Sequence, residues 1–206
     1  MSNRLFGLLC RAALVLGFSI SLAHAHHPMD YALPATALDG FLSGLGHPVI
    51  GLDHLLFIAG AGVLAAPLHR GLLLPLAFVV MSMVAAGARA AGADWAMAEI
   101  WVALSLIALG ALMLAARDPK RSWVAALFVV SGALHGYALA ESIVGAEPTP
   151  LFAYFIGLTI IQCAIALSAW AAATWIAAHR PQLPLRPVVG TVIGAAGLVF
   201  AGMAAL

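Results

Sequence analysis

Gly46-His47-Pro48-Val49-Ile50-Gly51-Leu52-Asp53-His54 heads an apolar run that continues to Ala66. Two imidazoles and a carboxylate stand at the mouth of a stretch suited to a bilayer, where ionisable groups are costly and mark a use. If the run is one helix, the seven residues from His47 to His54 make nearly two turns. Both rings then share a face, with His54 about 10 Å deeper than His47 and Asp53 about 100° round from it. Pro48 and Gly51 fall between them, and such residues loosen a membrane helix where a cavity is lined, so a broken helix is also compatible. The three groups read as a metal site. The plain alternative is a histidine that hydrogen-bonds a neighbouring helix, with Asp53 merely orienting His54.

The surroundings are those of a membrane protein. Of 206 residues, 64% are hydrophobic and 8% charged, with a mean hydropathy of +1.07, outside the range of a soluble domain. A net charge of +1 gives no reason to expect nucleic acid. Of the two cysteines, Cys10 lies near the start and Cys163 in a late apolar run, so no thiolate cluster for a soft metal is expected. Residues 1–25 carry Arg4 and Arg11, an apolar stretch and the small-x-small end Ala23-His24-Ala25, the pattern of a cleaved signal peptide. Cleavage after Ala25 would expose His26 and His27 as a further pair of ligands, ahead of Asp30.

Apolar runs follow at His47–Ala66, Leu72–Ala88, Trp95–Ala116, Trp123–Ala140, Leu151–Ala178 and Val188–Leu206, most of them near the ~20 residues a span requires. The fold expected is all-α: a polytopic membrane bundle of six transmembrane helices over residues 26–206. Ala37–Leu45 either extends the first span or lies against it. Gly40/Gly44, Gly132/Gly136 and Gly190/Gly194 have the four-residue spacing that lets helices approach closely. Arg70, Arg117, Lys120, Arg121, Arg180 and Arg186 fall in loops on one side and only Arg89 near the other, which makes the first side cytoplasmic and both mature termini periplasmic. Such a protein belongs in a bacterial inner membrane.

The other face collects Asp30, Asp39, Asp94, Glu141 and Glu147, an acidic entrance for cations. On this topology Glu99 at the third span, and His135 and Glu141 at the fourth, reach a depth similar to His47 and His54. The candidate metal residues are therefore His47, Asp53, His54, His135, Glu99, Glu141, His26 and His27. Neutral imidazole with carboxylate suits Ni²⁺, Co²⁺ or Zn²⁺ better than copper(I), calcium or magnesium. No nucleotide-binding GxxxxGK[ST] loop is present, so uptake would run on the membrane potential.

These residues resemble the HupE/UreJ family. His47-Pro48-x-x-Gly51-x-Asp53-His54 is similar to its HPxxGxDH signature, and His135-Gly136-Tyr137 followed by Glu141 to its second motif. Glu99, before Ile100-Trp101-Val102-Ala103-Leu104-Ser105, is similar to its third-span glutamate. The resemblance implies a nickel or cobalt permease, not an enzyme, with no prosthetic group and a link to metal supply for hydrogenase, urease or cobalamin. Where many members carry a second histidine or a tyrosine, Leu139 and then Ala140 stand here, and Glu141–Glu147 looks more like members associated with cobalt. Two other classes stay open: an intramembrane zinc-dependent hydrolase using His47, His54 and His135, and a metal-delivery accessory protein that does not transport.

Overall fold

The first apolar run is not one helix. The computed structural model describes residues 33–115 and 119–205. In it α1 (Ala37–Ile50) and α2 (Leu52–Ala65) meet at Gly51 with a bend of 76°. A capping box starts α1: Thr36 Oγ1 accepts from the Asp39 N–H at 3.1 Å, and the Asp39 carboxylate accepts from the Thr36 N–H at 3.0 Å. Two donors that a helix start leaves open are thus satisfied. Pro48 sits in the last turn, where its ring removes a backbone donor, and Gly51 follows in an extended conformation that ends the helix. The expected span His47–Ala66 is corrected accordingly. Ala37–Leu45 is the body of α1, His47 lies in its last turn, and α2, at 14 residues, is about 21 Å long and too short to cross a bilayer alone.

After the bend come α3 (Leu73–Ala90), α4 (Ala98–Ala115), α5 (Arg121–Leu139), a single 3₁₀ turn at Glu141–Ile143, α6 (Pro148–His179) and α7 (Leu185–Ala204). Every regular element among the described residues is helical. Five helices are long and apolar enough to cross a membrane, and the bent pair raises the number to six if it forms one span. At 32 residues α6 is about 48 Å long, well beyond one hydrocarbon core, as its apolar run predicts. Trp95 lies ahead of α4, outside the helix. The expected signal peptide, His26, His27 and Asp30 lie outside the described residues.

The short helix is the central one. α2 touches α6, α4, α7, α3 and α5, and Phe57, Ile58, Ala61, Leu64 and Ala65 are buried to within 1% of completely. Around it α1 runs along α6, α3 along α5 and α4 along α7. Small residues make these pairings possible. A side chain at Gly44 would meet the Tyr154 carbonyl oxygen at 2.2 Å, and one at Gly136 the Ser82 carbonyl oxygen at 2.0 Å, so backbone rests on backbone there. Gly110 lies against Gly190 and Gly194 in the same way.

The ends of the bundle differ in charge as the loop pattern predicts. At one end Arg121 Nη1 donates to the His69 carbonyl oxygen at 2.7 Å, joining the α2–α3 connection to the start of α5. At the other, Asp94 accepts from Arg89 Nη1 at 3.0 Å and from the Tyr137 hydroxyl at 2.9 Å. Trp95 stacks on the Tyr137 ring, with centroids 4.9 Å apart and planes 8° from parallel. Two members of the expected acidic entrance thus have structural partners: Asp39 caps α1, and Asp94 binds the α3–α4 connection to α5.

Candidate metal centre

The bend at Gly51 builds the site. In one straight helix His54 would lie a helical rise of about 10 Å below His47. After the bend the two ring centroids are 5.8 Å apart, at 81° to each other. The expectation of one helical face is therefore replaced by two helix ends meeting, the last turn of α1 and the first of α2. Gly51 must be small here, because a Cβ would come within 2.8 Å of His54 Cδ2 and 3.2 Å of Asp53 Oδ1. Asp53 Oδ1 accepts from the His54 backbone N–H at 2.8 Å and stands 3.9 Å from His54 Nε2. A carboxylate in the first turn also suits the positive end of α2.

His135, 81 residues further on, completes the group from α5. Its Nδ1 lies 2.8 Å from His54 Nδ1, and its Nε2 lies 2.8 Å from Ser105 Oγ on α4. Ser105 donates in turn to the Val102 carbonyl oxygen at 2.6 Å. Both nitrogens of His135 are thus engaged by protein groups, and the residue is fully buried. His47 is held differently. Its Nδ1 lies 3.0 Å from Ser142 Oγ and 2.9 Å from the Tyr154 hydroxyl, and Tyr154 donates to the Leu139 carbonyl oxygen. The 3₁₀ turn after α5 brings Ser142 to this place, and α6 brings Tyr154.

Below the imidazoles the environment changes within one helical turn. The His135 ring lies 4.7 Å from Phe57 and 5.5 Å from Phe78, centroid to centroid. Phe57 stacks on Phe78 at 5.1 Å and meets Phe128 edge-on at 6.3 Å. All three rings are buried, so the polar group has an aromatic floor.

The structure thus brings together His47, Asp53, His54 and His135. Glu99, in the first turn of α4, and Glu141, on the 3₁₀ turn, are exposed, and the contacts joining the three rings run through Ser105, Ser142 and Tyr154 instead. Among the described residues no three histidine, cysteine, aspartate or glutamate side chains converge as a finished metal cage. The candidate ligands are adjacent, and four of their ring nitrogens face protein partners. Gln162 is buried and donates to Ser82 Oγ at 3.3 Å, while its Oε1 has no protein hydrogen-bond partner among the described residues. An apolar groove of about 380 Å³, walled by Met83, Phe155, Ile156 and Thr159, shares no residue with the histidine group.

Sequence reasoning passed over Ser105, Ser142 and Tyr154. The available signal was a hydroxyl in or beside an apolar run, but five of the six long runs carry one.

A family model described as HupE / UreJ protein matches residues 12–200. The chain belongs to the HupE/UreJ family. Within it, "Protein HupE" of Rhizobium leguminosarum bv. viciae is 31% identical over 149 residues, which cover 68% of this chain and 72% of that protein. The HupE/UreJ proteins are a membrane-associated family linked with nickel and cobalt uptake for hydrogenase and urease. No solved structure matches the chain.

Proposed function

We propose that this HupE/UreJ protein takes up a divalent transition metal, Ni²⁺ or Co²⁺, across the bacterial inner membrane by secondary transport. The observation that carries the reading is the meeting of His47, Asp53, His54 and His135 at a broken helix, with His54 Nε2 3.9 Å from the Asp53 carboxylate. Unwound backbone between two half-helices is where membrane transporters bind ions. The groups at this break are the imidazoles and carboxylate that borderline metals prefer.

The ion is captured from the periplasmic side, where both mature termini lie and where Glu99, Glu141, His26 and His27 shed its first waters. It then exchanges further waters for His47, His54 and Asp53. His135 joins by giving up one of its two protein hydrogen bonds. A mixed imidazole and carboxylate set binds firmly enough to strip water and weakly enough to release, the compromise that conduction requires. An inside-negative potential favours inward release of a divalent ion by about 4.6 kcal/mol per 100 mV, twice the single-charge value. The ion is cargo, with no prosthetic group, and its destination is a metalloenzyme or cofactor of the hydrogenase, urease or cobalamin kind.

The test is flux of Ni²⁺, Co²⁺ and Zn²⁺ into proteoliposomes of purified protein under an imposed inside-negative potential, with His54→Ala as control. Flux of nickel or cobalt that the control lacks is the expected result. Binding of either ion without flux would identify a delivery protein instead. One zinc per chain retained through chelation, without flux, would point to a hydrolase.

A further inference from the structure

The hydrogen bonds around His135 have a direction, and a helix carbonyl sets it. The Val102 carbonyl oxygen can only accept, and it lies 2.6 Å from Ser105 Oγ, so the single Ser105 proton sits between them. Ser105 Oγ then meets His135 Nε2, 2.8 Å away, as an acceptor, and the ring nitrogen carries the proton. In a neutral ring that leaves His135 Nδ1 as the acceptor. The 2.8 Å contact between the two Nδ1 atoms holds one proton, and it belongs to His54. With a single proton on its ring, His54 then keeps its lone pair on Nε2, the nitrogen 3.9 Å from Asp53 Oδ1.

We infer that Ser105 is a positioning residue: through His135 it fixes the tautomer of His54 and leaves the lone pair on His54 Nε2, the ring nitrogen beside Asp53. A lone pair and a carboxylate oxygen facing each other repel unless something positive lies between them. The relay therefore prepares a cation-binding pair at the bend before any ion arrives. The partner on the far nitrogen commonly sets which nitrogen of a metal-binding imidazole is available. Here the partner is another imidazole, and the anchor is one serine on a third helix.

Removing the hydroxyl reverses the relay. With alanine at position 105, a proton on His135 Nε2 has no acceptor, and burying an unpartnered N–H is unfavourable. The proton moves to His135 Nδ1 and donates to His54, which then carries its own proton on Nε2 and offers it to Asp53. That N–H occupies the place of the cation. For singly protonated rings the tautomers follow from the hydrogen-bond geometry, whereas the consequence for an ion rests on the metal reading above.

The experiment is ¹⁵N magnetic resonance of the full-length protein labelled in histidine, reconstituted in lipid without metal, with signals assigned through His54→Ala and His135→Asn. Wild type is expected to show a protonated Nε2 on His135 and a protonated Nδ1 on His54. Ser105→Ala is expected to exchange both, and Ser105→Thr, which keeps the hydroxyl, to restore them. Co²⁺ affinity measured on the same samples should fall roughly 10- to 100-fold in the alanine variant and recover in the threonine variant. Opposite tautomers in wild type, or unchanged ones in Ser105→Ala, would overturn the inference. Exchanged tautomers with unchanged Co²⁺ affinity would uphold the relay and count against the metal site. If Ser105→Ala fails to insert, the wild-type tautomers and the Ser105→Thr sample still decide.

Discussion

Two successive turns of α2 solve opposite problems with neighbouring residues. Its first turn carries Asp53 and His54, and the partners that gather there are polar: His47 from α1, Ser105 from α4, His135 from α5 and Tyr154 from α6. One turn later Phe57 begins a region of aromatic rings supplied by α3 and α5. His135 touches both, with its nitrogens in the polar layer and its ring face on Phe57 and Phe78. The difference teaches how a membrane interior keeps ionisable groups. His47, His54 and His135 are each held by a named polar partner, and a layer of buried aromatic rings lies next to them. Function and stability should therefore separate by layer.

His54→Ala is the strongest test of that separation. Uptake of Ni²⁺ or Co²⁺ into proteoliposomes should fall to the level of empty vesicles while thermal unfolding in detergent moves little. Normal uptake by the inserted variant would remove His54 from the path. Phe57→Ala should do the reverse in kind, with unfolding easier by about 3–5 kcal/mol because a fully buried ring leaves a cavity. An unchanged denaturation midpoint would show that the aromatic layer is not the core.

Tyr154→Phe probes the margin of the polar layer. The hydroxyl that donates to the Leu139 carbonyl oxygen and sits 2.9 Å from His47 Nδ1 is lost, at a cost of about 1–3 kcal/mol for the groups left without it. Metal affinity should drop by less than in His54→Ala, since only the orientation of His47 is affected. Equal losses in the two variants would make Tyr154 a direct participant. Asp94→Asn should have the smallest effect. Its ion pair with Arg89 is exposed on the carboxylate side and worth ~1 kcal/mol or less. Metal uptake that falls severely in this variant would restore Asp94 to the entrance.

Much of the architecture could be read along the chain because it depends on local composition. Apolar runs near the length of a bilayer announce the helices from α3 to α7, and the loop arginines separate the two ends. The four-residue glycine spacings at 40/44 and 132/136 announce close approach, and a Cβ at any of these four glycines would meet the backbone of a neighbouring helix within 2.4 Å. The break at Gly51 was only partly legible. Pro48 and Gly51 permit it, but an unbroken apolar run from His47 to Ala66 argues for one span, and the choice depends on what packs against the junction. The likeness of depth that linked Glu99 and Glu141 with the histidines could not distinguish an inward side chain from an exposed one.

By itself the sequence determined a helical membrane protein of the HupE/UreJ kind and the residue types that a candidate ion site can draw on, since hydropathy and ligand character belong to each residue wherever it lies. Only the tertiary structure decided that His54 meets His135 across 81 residues, that Ser105 anchors the pair, and that Phe57, Phe78 and Phe128 close the layer below. The physical reason is that a hydrogen bond depends on distances of a few tenths of an ångström between helices. Those distances are set by the packing of the whole bundle.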